Sequence, residues 1–177
     1  MSFHLYDINE LYSNADGTVQ FIELTVGGSN GENLWLGQTI TVTQGATVHS
    51  FTFPSNLPSS ATANTKVLIA TQGFADLALV TPNFIVPAGF LFTNGGTVNF
   101  ANFDSVTYTS LPTDGTLSIN RSGVTAVNSP TNFSGMTGSI VGNAAPVPNV
   151  LTADQITGAG QAFLLALPAT AFTDANG

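Results

Sequence analysis

Thr39-Ile40-Thr41-Val42-Thr43 is followed, across Gln44-Gly45-Ala46, by Thr47-Val48-His49-Ser50-Phe51-Thr52-Phe53. Strict alternation sends Ile40 and Val42 inward and Thr39, Thr41 and Thr43 outward, the period of a strand with one buried face. The second run is its hairpin partner. The same grammar recurs on both sides of this pair. Residues 3–12 and 18–26 form a hairpin round Asp16-Gly17, a dipeptide suited to positive φ. Residues 66–71, KVLIAT, are nearly continuous apolar and suit a central strand. Further strands fall at 84–92, 97–103, 105–109 and 116–120, with Gly, Pro and Asn between them. Residues 74–80 read either as one helical turn or as another strand. Past Arg121 the pattern thins into Ser, Asn, Gly and Thr. Residues 144–149 carry Pro146 and Pro148 and read as a linker. The tail differs in kind, with a helix-cap signal at Thr152 and an apolar stretch, 161–167, that Pro168 stops. The expectation is an all-β sandwich over residues 1–143 and a linker with an apolar tail over 144–177.

Composition narrows the partners. Two cations, Lys66 and Arg121, stand against ten carboxylates, a net charge of −8. Charged residues are 7% of the chain, where about 25% is usual. Ser, Thr, Asn and Gly supply the polarity instead, as in outer surfaces, secreted matrices and ordered protein layers. No basic patch can neutralise phosphates, which excludes nucleic acid and anionic membrane. The chain has no cysteine, hence no disulfide, thiolate metal site or cysteine nucleophile. A core is affordable in composition: 43% of residues are hydrophobic, 13 of them Phe. The longest apolar run, 162–169, is far short of the roughly 20 residues of a membrane-spanning helix. Residues 1–7 show neither a basic nor an apolar signal-peptide region, so export is expected after removal of a signal or by another route.

Two motifs carry a family resemblance. Ile8-Asn9-Glu10, Asp16-Gly17 and Phe21-Ile22-Glu23-Leu24 resemble the opening hairpin of the bacterial lamin-tail domain family. Residues 110–121, with Leu111-Pro112, Gly115 and Leu117 to Ile119, are similar to a later hairpin of that family. The resemblance covers residues 3–135 and fails between 54 and 100. It implies an immunoglobulin-like β-sandwich, used in large secreted or surface proteins of bacteria as a binding or structural unit.

The candidate chemistry is sparse. Glu10 and Glu23 are placed to face each other across the first hairpin, with Asp7 and Asp16 nearby. Such a cluster binds Ca²⁺ or acts as acid and base; alternatively, each carboxylate accepts hydrogen bonds from loop backbone. No complete EF-hand loop is present. His4 and His49 are the only histidines. His49 and Ser50, as strand neighbours, point to opposite faces and cannot serve as base and nucleophile. His49 is expected to face solvent. Trp35 is expected at the edge of the core, the alternative being a sugar platform. Phe21, Phe51, Phe53, Phe100 and Phe103 are expected inward. Asn120-Arg121-Ser122 and Asn132-Phe133-Ser134 are formal glycosylation sequons.

No catalytic arrangement emerges, so the sequence reads as a non-enzymatic extracellular or cell-surface protein that associates with copies of itself and with surface or matrix components. Few edge lysines or inward charges oppose such contacts. Phe3 and Leu5 on the first strand, and Phe163, Leu164, Leu165, Leu167 and Phe172 in the tail, are the expected contact residues. The second reading is a secreted Ca²⁺- or carbohydrate-binding module. The tail also resembles the uncleaved C-terminal signals of type I secreted bacterial proteins, or else packs on the sandwich.

Overall fold

The computed structural model describes residues 5–142 and the backbone at 147–148 and 172–173. Two antiparallel-dominated sheets pack face to face, as the alternating runs require. The first hairpin is β1 (Asp7–Ser13) and β2 (Gln20–Thr25). The second is β3 (Thr39–Gln44) and β4 (Thr47–Thr52). They are followed by β5 (Lys66–Thr71), β6 (Phe84–Val86), β7 (Gly96–Phe100), β8 (Asp104–Tyr108), β9 (Leu117–Asn120) and β10 (Thr125–Val127). Six strands form one sheet in the order β10-β9-β1-β2-β5-β6, and four form the other as β4-β3-β7-β8. Among the described residues only β5 and β6 run parallel. The ambiguous segment after β5 begins as one helical turn, α1 (Gln72–Ala75), capped by Thr71.

Inward positions of the two sheets meet in one core. At its centre stands Trp35, fully buried. Its ring lies 4.6 Å from Phe100, 4.8 Å from Phe53 and 5.2 Å from Tyr6, and its Nε1–H donates to the Glu32 carbonyl at 2.9 Å. The expected edge position is corrected: Leu34 and Leu36 are exposed on either side while Trp35 turns fully inward. Phe103 is also corrected. It is 48% exposed, because Ala101 and Asn102 at positive φ place it in the β7–β8 turn, outside the alternation of the strands.

A second, smaller core covers the other face of the six-stranded sheet. Tyr12, Phe21, Leu68 and Ala70 face outward from β1, β2 and β5 and are roofed by Phe74, Val80 and Ile140. β5 is therefore buried on both faces, which explains its unbroken apolar sequence. The Ser- and Asn-rich stretch after Arg121 completes the roof that Phe74 and Val80 begin, and β10 within it extends the sheet by pairing with β9.

The chain divides into two compact units, residues 1–141 and 142–177. In the second, β11 (Val147–Pro148) and β12 (Phe172–Thr173) pair antiparallel. Phe3, His4, Phe163, Leu164, Leu165 and Leu167 lie outside the described residues, as does the side chain of Phe172. No helix among the described residues is long and apolar enough to cross a membrane.

Deleting the central ring leaves a cavity that a β-sandwich cannot close. Trp35→Ala should cost about 3–5 kcal/mol, read from urea unfolding followed by far-ultraviolet circular dichroism.

Candidate functional site

The first hairpin builds the most concentrated chemistry. A bulge between Ile8 and Glu10 shifts the β1–β2 register. Without it, Ile8 and Glu10 would share a face. With it, Ile8 and Leu11 both enter the inter-sheet core while Glu10 turns to the outer face, directly opposite Glu23. The two glutamates do face each other, as expected, and both are buried.

Each carboxylate accepts three hydrogen bonds. Glu10 takes Ser118 Oγ at 2.6 Å, Ser129 N at 2.9 Å and Ser129 Oγ at 3.0 Å. Glu23 takes Asn9 Nδ2 at 2.7 Å, Thr131 N at 2.8 Å and Lys66 Nζ at 2.8 Å. The backbone amides of Ser129 and Thr131 thus straddle Pro130 and clamp the roof to the sheet. Burial pushes the Glu23 carboxyl above its ordinary value, against the opposing pull of Lys66 and Asn9.

Asp7 and Asp16 do not join this pair. Asp7 pairs with Thr25 at one end of the hairpin. Asp16 sits in the turn at the other end, where it accepts Thr18 N at 3.0 Å and Thr18 Oγ1 at 2.6 Å. The length of β1 alone separates them by roughly 20 Å. Among the described residues no three acidic or histidine side chains come close enough to hold a metal ion. Ca²⁺ takes six to eight oxygens, whereas Glu10 and Glu23 already face protein donors. The four residues do not fit a Ca²⁺ site.

Arg121 serves a second clamp that sequence reasoning missed. Its guanidinium holds the Asp104 carboxylate with Nη1 and Nη2, the latter at 2.6 Å. Asp104 Oδ2 also accepts Ile8 N at 2.7 Å, so β8 of one sheet is tied to β1 of the other. Partial burial would raise the Asp104 carboxyl, but Arg121 and the backbone donors outweigh it and hold it below its ordinary value. Both cations of the chain are therefore engaged by carboxylates of low exposure.

Asn128, Asn132 and Asn83 complete the roof. Asn128 is buried and bonds both to Thr116 O and to the backbone N–H and C=O of Ile140. Asn132, also buried, accepts Ser134 N, Ser134 Oγ and Met136 N through its side-chain oxygen. Its amide nitrogen donates to Thr81 O, so this sequon asparagine is committed to the fold. The one legible signal for the roof was KVLIAT: a strand apolar on both faces needs a cover on both.

His49 differs from expectation as well. It points to the core side at the sandwich margin, stacked on Phe92 at 4.3 Å. Its Nδ1–H donates to Phe90 O at 2.9 Å. Ser50 lies exposed on the opposite face, so the two are separated as the alternation required. Clefts beside Lys66, Glu10 and Arg121 each include that charged side chain in their lining. One of about 130 Å³ lies beside Glu10 among Asn9, Ser118, Asn120 and Val127. Another, of about 390 Å³, lies beside His49 and the Pro87-Ala88-Gly89 loop.

The outer face of the four-stranded sheet is different in character. Register aligns Ser50, Thr41, Asn99 and Ser105 in one row across the strands, and Val48, Thr43, Thr97 and Thr107 in the next. Thr97 and Thr107 share a hydroxyl hydrogen bond of 2.9 Å. Neither row holds a charge. No family model, curated protein or solved structure matches this chain.

Glu23→Gln should destabilise the fold by about 1–3 kcal/mol, because the amide NH₂ would meet donors only; chemical denaturation reads the loss. Millimolar Ca²⁺, and chelator after it, should leave the melting temperature unchanged, since a ligand of the native state would raise it. The pH dependence has a definite sign. Asp104 is depressed, so its contribution is present above the ordinary Asp value near 3.8 and is lost as pH falls through its folded value. Glu23 is raised, so its contribution runs the other way and shrinks as pH rises. Asp104→Asn should therefore flatten part of the acid limb of the stability profile, measured as urea midpoints from pH 5 downward.

Proposed function

We propose that this protein is a non-enzymatic structural module of an extracellular or cell-surface layer, working through association with copies of itself. The observation that carries the reading is the outer face of the four-stranded sheet, two cross-strand rows of Thr, Ser, Asn and Val without a charge. Hydroxyl and methyl groups lose little on leaving water when met by their like, whereas ammonium or carboxylate groups lose much. The resemblance of residues 4–26 and 110–121 to a bacterial lamin-tail module supports the same setting. The buried carboxylates support it by what they do. Glu10 and Glu23 each accept three hydrogen bonds that hold the roof and neighbouring strands, and Asp104 bridges the sheets, which is work for rigidity.

Leu5, two residues before β1, is 44% exposed, and its amide donates to Glu32 Oε2 at 2.9 Å. It remains a contact residue in this reading together with Phe3 and the tail residues. The test is light scattering and sedimentation of the full chain over a wide concentration range, with and without chelator. The expected outcome is size that grows with concentration and ignores chelator. A monomer at every concentration overturns the reading, and assembly that requires Ca²⁺ replaces it with a Ca²⁺-dependent one.

A further inference from the structure

The sandwich has four strand edges, and three carry a device that discourages pairing with another chain. β10 is three residues long. β6 is also three residues long and runs directly into Pro87. β8 opens with Asp104, held by Arg121. β4 carries none of these, although the loop at residues 87–90 lies beside it across a cleft lined by Val48, His49 and Ser50. The strand spans six residues, contains no Lys, Arg, Asp, Glu or Pro, and pairs with β3 without a register shift.

The turn fixes which way its backbone points. Gln44 and Thr47 flank a two-residue turn with Gly45 at φ 57°, so they are a hydrogen-bonded pair, and such pairs recur at every second residue. Thr47, His49 and Phe51 direct N–H and C=O toward β3. The bond from Phe53 N to Gln38 O, 2.9 Å, continues the same phase. Val48, Ser50 and Thr52 therefore direct theirs outward, where no neighbouring strand among the described residues receives them.

We propose that β4 is the binding site for β4 of a second copy, joined antiparallel about a two-fold axis at Ser50. The inference rests on the self-association reading above. The free groups are self-complementary in this register. Val48 meets the partner's Thr52, Ser50 meets the partner's Ser50, and Thr52 meets the partner's Val48. Each is a hydrogen-bonded pair that exchanges two N–H···O bonds. The interface is isologous and closes at the dimer. It also joins the uncharged rows of both copies into one face of eight strands.

Charge selects a copy as the occupant. The chain is at −8, and among the described residues the exposed carboxylates Asp7, Asp16, Asp76 and Asp114 lie on strands of the six-stranded sheet or on loops that lead into or out of them. Copies approaching by that side repel. Residues 33–65 and 77–103 contain no Asp, Glu, Lys or Arg, and β3, β4 and β7 lie within them. At β4 two copies meet with no opposing charge, and a strongly basic or acidic partner finds no counter-charge.

The absence of cysteine makes the test direct. The paired Cα atoms across Ser50 would lie about 5.5 Å apart, within disulfide range. Under mild oxidation, full-length Ser50→Cys should become a covalent dimer at concentrations where the wild type associates. Thr107→Cys, on the same face at the far edge, should stay uncrosslinked. Ser50→Lys sets two ammonium groups on the axis and should abolish the dimer while leaving the melting temperature of the monomer unchanged. If both cysteine variants crosslink equally, if Ser50→Cys does not crosslink because another segment or protein covers β4, or if Ser50→Lys associates like the wild type, this pairing is wrong while self-association stands. If the wild type is monomeric throughout, the pairing and the functional reading both fall.

Discussion

Two buried carboxylates stand directly opposite each other across β1 and β2, and the outer half of the six-stranded sheet depends on how their charge is met. Like charges at paired positions destabilise a sheet, and burial makes each costlier. The molecule answers asymmetrically. Glu23 receives a cation, Lys66, at 2.8 Å. Glu10 receives only neutral donors, from Ser118 and Ser129. Backbone amides must therefore reach down to the sheet, and the segment around Pro130 is held where they can. The roof in turn shields Phe21, Leu68 and Ala70 from water. Remove the carboxylates and both the anchor and the reason for that segment's path disappear.

The same scarcity of cations shapes the surface. With Lys66 engaged by Glu23 and Arg121 by Asp104, neither cation is left to dress the four-stranded sheet. Threonine takes that role on β3. Its branched Cβ stiffens the strand, and its hydroxyl keeps the face wetted. Interior electrostatics and exterior chemistry are thus two consequences of one compositional choice. A chain richer in lysine could satisfy Glu10 and Glu23 more simply, but it would also place ammonium groups along strand edges that are neutral here.

Much of the sandwich was legible because alternation is a local signal. Ile40 and Val42 against Thr39, Thr41 and Thr43 could be read directly, and KVLIAT could be read as a central strand. The facing of Glu10 and Glu23 was readable from the hairpin, but their hydrogen-bond partners were not, because Ser129 and Thr131 lie more than a hundred residues away and look like ordinary loop. Trp35 misled because its neighbours Leu34 and Leu36 are apolar yet exposed, so the apolar triplet concealed which side chain turned inward. His49 misled differently. Alternation correctly opposed it to Ser50, but polarity suggested solvent where stacking on Phe92 and a bond to Phe90 O keep it at the core margin. Asp104 and Arg121 form a pair only through the crossing of two sheets, which no sequence spacing encodes.

An unguarded edge is ordinarily a route to uncontrolled aggregation, and the side chains of β4 show why that need not follow here. Phe51 packs against the core and His49 is fixed by its ring contact and hydrogen bond, so the apolar side of the strand is already occupied. What remains outward is Val48, Ser50 and Thr52, mostly polar and offering little area for sheets to stack in a dry interface. The attraction at this edge is the directional one of backbone N–H and C=O. A directional contact placed on a two-fold axis satisfies itself once and stops. A hydrophobic face would recruit copies without limit. The edge is suited to a defined join between subunits because its neutrality comes from hydroxyl groups, and because the residues that could make it sticky are turned into the fold.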